Sequence, residues 1–83
     1  MKTKVALVGV IVEEIKSSGE VNEILHDFEP YIIGRMGVPY RERGLKVISV
    51  VLDAKSGVID DLSEKLDKVK GIKVKTMYAD SEE

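Results

Sequence analysis

The sequence predicts an α+β domain: a ferredoxin-like βαββαβ sandwich, with a four-stranded antiparallel sheet and two helices on one face. Three observations carry this. Residues 4–13 and 45–53 are rich in β-branched side chains and bounded by charges, so both read as strong strands. Each is followed by apolar residues at helical spacing. A strand–loop–strand passage and a final alternating segment complete the order. In one domain that order is the split βαβ arrangement, and right-handed crossovers put the first and third strands at the centre.

The elements follow in turn. After the first strand, Ser17 with Glu20 three positions later forms a capping box, which would satisfy two orphan backbone donors. Val21, Ile24, Leu25 and Phe28 make one apolar stripe on the helix it opens. Glu29-Pro30 ends that helix, because the residue before proline is pushed out of the α region. Residues 31–38 are apolar but broken by Gly34 and Gly37, which predicts a weaker edge strand with a bulge. Residues 39–44 form a polar connection to the strand at 45–53, making a hairpin.

Ser56 is placed to cap the second helix, with Asp60 and Asp61 near its positive end. Ile59, Leu62, Leu66 and Val69 form its stripe, and Lys65, Lys68 and Lys70 come late, where cations suit the dipole. Gly71 is its left-handed stop. Residues 72–78 alternate apolar and polar, as a half-buried strand does. Residues 79–83 read as a frayed acidic tail.

Composition narrows the function. The chain has 83 residues and a mass of 9.2 kDa, room for one domain spanning 1–83. Thirteen cations against fifteen carboxylates give a net charge of −2, without the cationic excess that nucleic-acid binding requires. With no cysteine there is no disulfide, thiolate metal site or thiol nucleophile. The longest apolar run, residues 5–12, is too short to span a bilayer, and no signal-peptide cleavage site follows it. A cytoplasmic location is expected. Glutamine is absent and Asn22 is the single asparagine, a thermophile-like pattern beside abundant Lys and Glu.

Strand alternation points to assembly. On the first strand Val5, Leu7 and Ile11 oppose Ala6, Val8, Val10 and Val12; on the third, Leu45, Val47 and Val51 oppose Ile48, Val50 and Leu52. Two helices cover only one face, so the other carries an apolar stripe of the kind that marks an interface. A homo-oligomer, dimer or tetramer, joined through the sheet is expected. On the final strand Lys73 and Lys75 oppose Ile72 and Val74, the normal pattern of an uncovered face.

The segments GRMGVPYRERG (34–44) and VISVVLDA (47–54), with NEILH (22–26) on the first helix, resemble a small bacterial family described as regulators of an iron-only hydrogenase system. That family is similar to ACT domains and to the C-terminal regulatory domain of the nickel-responsive repressor. The resemblance spans nearly the whole chain and implies an ACT-like fold, an oligomer and a regulatory role. ACT domains bind effectors at the loop between the first strand and first helix, against a neighbouring subunit. By resemblance, that expectation falls on Ser17, Ser18, Gly19 and Asn22; the alternative is that these residues only cap the helix.

The residues themselves add a second region. Arg35, Tyr40, Arg41 and Arg43 surround the hairpin connection, and arginines there suit bidentate contact with a carboxylate or phosphate. The competing reading is a solvated hairpin partly neutralised by Glu42. His26 is the single histidine, too few for a metal site unless symmetry gathers copies or Glu23 and Asp27 assist, so no metal and no cofactor are expected. Glu13-Glu14 and Asp60-Asp61 are adjacent in sequence and therefore point apart, which is wrong for an acid–base dyad. No hydrolase, zinc-protease, P-loop or dinucleotide motif occurs. Phe28, Tyr31, Tyr40 and Tyr78 all lie off the central strands, which argues against an RNA-binding sheet. The sequence thus favours a non-catalytic, ligand-sensing regulatory oligomer whose partner is a small effector or a protein. The alternatives are an assembly module without a ligand and an enzyme with a composite inter-subunit site.

Overall fold

The computed structural model describes residues 2–79. The chain runs β1 (Lys4–Val12), α1 (Ser18–Asp27), β2 (Ile32–Tyr40), β3 (Leu45–Ala54), α2 (Ser56–Asp67) and β4 (Ile72–Tyr78). The sheet order is β2-β3-β1-β4 and every pairing is antiparallel, so the two β-branched strands hold the centre as expected. The expected acidic tail lies outside the described residues from position 80 on.

The core is one layer between sheet and helices. Ala6, Val8, Val10 and Val12 from β1 and Ile48, Val50, Leu52 and Ala54 from β3 are buried against Val21, Leu25 and Phe28 and against Ile59, Leu62, Leu66 and Val69. Both helical stripes read from the sequence are therefore the buried ones. The opposite residues of the central strands, Val5, Leu7, Ile11 and Val47, stay exposed, because both helices lie on one side.

Several local expectations are corrected. Ser17 does not make a capping box. A 3-10 turn over Ile15–Ser17 feeds directly into α1, leaving Ser17 in a right-handed conformation without a side-chain cap bond. Its hydroxyl donates instead to the Lys70 carbonyl at 2.8 Å. Ser56 is the first residue of α2 rather than its cap; Lys55 holds the cap position in extended backbone. Asp60 and Asp61 fall beyond the first turn of α2, outside the reach of its end charge.

The edge strand is longer than expected. β2 takes in Pro39 and Tyr40, and the connection shrinks to a 3-10 turn over Arg41–Arg43 closed by Gly44 at φ +65°. The bulge occurs between Ile32 and Gly34. Gly71 does adopt positive φ (+77°), just before β4, and its carbonyl accepts from the Glu13 amide at 2.8 Å. From Ile33 onward every residue of β2 is exposed, so one edge of the sheet is bare on both sides.

Candidate functional site

The bare edge and the start of α1 enclose a groove. Pairing of Arg35 with Val50, Gly37 with Ile48 and Pro39 with Lys46 turns these residues to the helix side of the sheet, since Val50 and Ile48 are core residues there. No helix covers that corner. The groove that results has a volume of about 750 Å³ and is lined by Ile15, Ser18 and Asn22 on one wall, Arg35, Gly37 and Pro39 on the other, and Arg41, Gly44, Leu45 and Lys46 at its end.

Its electrostatics are one-sided. Arg35, Arg41 and Lys46 line it and no carboxylate does. The ion pairs found among the described residues, His26–Glu29, Lys65–Asp61 and Lys73–Glu13, leave those three cations out. Arg35 donates from Nη2 to Asn22 Oδ1 at 2.9 Å, which holds the guanidinium across the groove. Lys46 Nζ reaches Ser18 Oγ at 3.5 Å. Such a site can hold an anion.

Of the sequence-predicted site residues, the structure brings Ser18, Asn22, Arg35 and Arg41 together in this groove. The other four lie outside its lining. Ser17 is buried and its hydroxyl is engaged by Lys70. Gly19 is exposed beyond the wall. Tyr40 pairs with Leu45 on the opposite face, and its hydroxyl donates to Glu42 Oε1 at 3.1 Å. Arg43 is exposed in the turn. Sequence reasoning missed Lys46 and the apolar members Ile15, Pro39 and Leu45. Lys46 carried a signal: it shares strand parity with Ile48, Val50 and Leu52, and a lysine on that face implies an uncovered corner.

His26 has an 81% exposed side chain on α1, with Nδ1 3.7 Å from Glu29 Oε1. Among the described residues no group of three or more His, Cys, Asp or Glu side chains is placed to hold a metal ion. A smaller cleft of about 430 Å³ lies between Phe28 and Tyr31 and the first turns of α2, where Asp60, Asp61 and Glu64 make it acidic. Beside it Tyr78 donates its hydroxyl to Asp60 Oδ1 at 3.3 Å. Desolvation, then the Asp60 charge and this bond, push the phenol above its ordinary value. No helix among the described residues is long and apolar enough to cross a membrane.

Comparison with known proteins places this fold. A formyltetrahydrofolate deformylase from Pseudomonas putida superposes with a TM-score of 0.66 at 13% identity, over 93% of this chain and 29% of that one. An unknown protein from Galdieria sulphuraria gives 0.62 at 18% identity, over 96% of this chain and 47% of that one. At those identities both are matches of fold alone. No curated protein matches the chain. The uncharacterized protein TM1266 from Thermotoga maritima is nearer: TM-score 0.88 and 33% identity, over 93% of this chain and 98% of that one. A family model described as "TM1266-like: Iron-only hydrogenase system regulator, putative" matches residues 4–76. With the model matched over most of the chain and TM1266 matched along nearly its whole length, the chain belongs to the TM1266-like family, whose description is that of a regulator.

Proposed function

We propose that this domain is a non-catalytic regulator of an iron-only hydrogenase system that responds to a small anionic effector held in the α1–β2 groove. The family description supports the regulatory half of this reading. The ligand half is carried by one observation: three cations, Arg35, Arg41 and Lys46, line a single groove without a carboxylate, on a chain whose net charge is −2. A guanidinium presents a planar fork to a carboxylate or phosphate, and the groove's volume falls within the range of small-molecule sites. Asn22 and Ser18 add neutral polar atoms for orientation, and Ile15 and Pro39 give the two walls apolar surface. With no cationic excess on the chain, regulation passes through contact with another protein rather than directly through nucleic acid.

The test is ligand-dependent stability. Inorganic phosphate, pyrophosphate and succinate are titrated while thermal unfolding is followed, since a ligand of the folded state raises apparent stability by mass action. At least one is expected to raise the midpoint for the native chain and for Arg43→Ala, and to lose that effect with Arg41→Ala. If none of the three shifts the midpoint, or if Arg43→Ala abolishes the effect while Arg41→Ala does not, the groove is not the site.

A further inference from the structure

We infer that the effector suited to this groove is a short, linear aliphatic dicarboxylate, whose two carboxylates are taken by separate cations. This rests on the effector reading above and narrows it from small anions to one chemical class.

Two hydrogen bonds set the spacing. Arg35 Nη2 donates to Asn22 Oδ1 at 2.9 Å, and Lys46 Nζ donates to Ser18 Oγ at 3.5 Å. Ser18 and Asn22 are at positions i and i+4 of α1, so they share one face of the helix. A rise of about 1.5 Å per residue puts the two anchors about 6 Å apart along its axis. The guanidinium and the ammonium therefore form two poles rather than one cluster. Each keeps further N–H donors after its single bond to the helix.

The sheet explains how the poles come to that distance. Arg35 pairs with Val50 and Lys46 with Pro39, so about 13 Å of strand separates the two backbones. Gly37 lies between them on the same face. A Cβ at Gly37 would stand 3.4 Å from Lys46 Cε, so the lysine stem lies over the bare glycine and carries its ammonium in toward α1. Arg41 lines the same end of the groove as Lys46, which makes that pole the stronger one.

This spacing selects among anions. A compact anion such as phosphate meets one pole at a time. An extended five-carbon diacid, with carbon–carbon bonds of about 1.5 Å, places its carboxyl carbons about 5 Å apart and its outer oxygens about 6 Å apart. Lying along α1, it offers one carboxylate to the Arg35 fork and the other to Lys46 and Arg41. Its methylenes then face Ile15 and Pro39. A three-carbon diacid falls short of the second pole, and a monocarboxylate leaves that pole unmet.

Isothermal titration calorimetry at neutral pH and fixed ionic strength tests this with malonate, succinate, glutarate, suberate and butyrate as probes. Glutarate is expected to bind the native chain at least fivefold more tightly than malonate, suberate or butyrate, with succinate next to it. Lys46→Met should weaken glutarate two- to fivefold and leave butyrate unchanged, whereas Lys46→Arg keeps the preference for length. Arg43→Ala, outside the groove, should match the native chain throughout. Thermal unfolding without ligand checks that each variant is folded. Equal affinity for butyrate and glutarate, or for malonate and glutarate, overturns the dicarboxylate inference and leaves the anion groove standing. So does binding of phosphate with no binding of any diacid. If neither phosphate, pyrophosphate nor any of the acids binds, both the inference and the effector reading fall.

Discussion

Ser17 donates its hydroxyl to the carbonyl of Lys70 across 2.8 Å, joining the start of α1 to the turn before β4 over 53 positions of chain. Beside it, the Glu13 amide bonds to the Gly71 carbonyl, so β1 and β4 are closed at the same end. Removing the hydroxyl leaves a part-buried carbonyl without its donor, and Ser17→Ala is expected to cost about 0.5–1.5 kcal/mol in urea unfolding. Glu20→Ala should cost less than about 0.5 kcal/mol, because no capping box is present for it to complete. Equal losses from the two changes would restore the capping-box reading.

Glycine substitutions divide sharply by position. Gly71 has φ +77°, and a Cβ there would stand 2.5 Å from Glu14 Cγ and 2.7 Å from its Cβ. Left-handed backbone costs an L-residue about 1–2 kcal/mol, and overpacking adds a further ~1–3 kcal/mol, so Gly71→Ala should be strongly destabilising. Gly57 lies within α2, and a Cβ there meets nothing within 4 Å. Gly57→Ala should stabilise by about 0.4–1 kcal/mol, acting through the unfolded chain. Denaturant midpoints of the two variants should therefore move in opposite directions.

Tyr78 supplies a pH signature. Its phenol is raised above 10.0 by desolvation first and by Asp60 second. The folded state holds this proton more tightly than the unfolded chain does. The associated stability is complete below the unfolded value of 10.0 and is lost as pH rises through the higher folded value. In an ultraviolet titration, the difference between native protein and Tyr78→Phe should have its midpoint above 10.0, and Asp60→Asn should lower it. A midpoint unmoved by Asp60→Asn would mean that burial acts alone.

What was legible in the sequence was what periodicity encodes. The alternation of Val8, Val10 and Val12 and the helical spacing of Ile59, Leu62 and Leu66 specify elements and faces, and strand order follows from connection rules. The function of Ser17 was not legible, because its partner is a backbone carbonyl brought near only by the fold. Serine before a helix is ambiguous until that carbonyl arrives. Half of the expected site residues share the groove for a similar reason. Arg35 and Arg41 were visible as cations near a turn, but inclusion depended on β2 running to Tyr40, which turns Tyr40 to the far face and leaves Arg41 at the groove's end. Lys46 was legible in principle, as a charge on an otherwise apolar strand face.

Lys46 therefore gives the sharpest test of how the groove works. It pairs with Pro39 at the uncovered corner and reaches Ser18 Oγ at 3.5 Å, at the long limit of a hydrogen bond. Its worth to the fold is accordingly small, and Lys46→Met should leave the unfolding midpoint unchanged or slightly higher, since the methionine continues the apolar side of β3. Its worth to an anion in the groove is a direct charge interaction in a partly solvated setting, about 0.5–1 kcal/mol, so phosphate or succinate affinity should fall two- to fivefold. Ionic strength separates this from a packing effect. Affinity of the native groove should drop as salt is raised, because exposed charges are screened beyond about 8–10 Å at physiological ionic strength, and Lys46→Met should show a shallower drop. Lys46→Arg keeps the charge and should keep the native salt dependence. If Lys46→Met and Lys46→Arg weaken binding equally, the position acts through shape, and charge recognition rests on Arg35 and Arg41 alone.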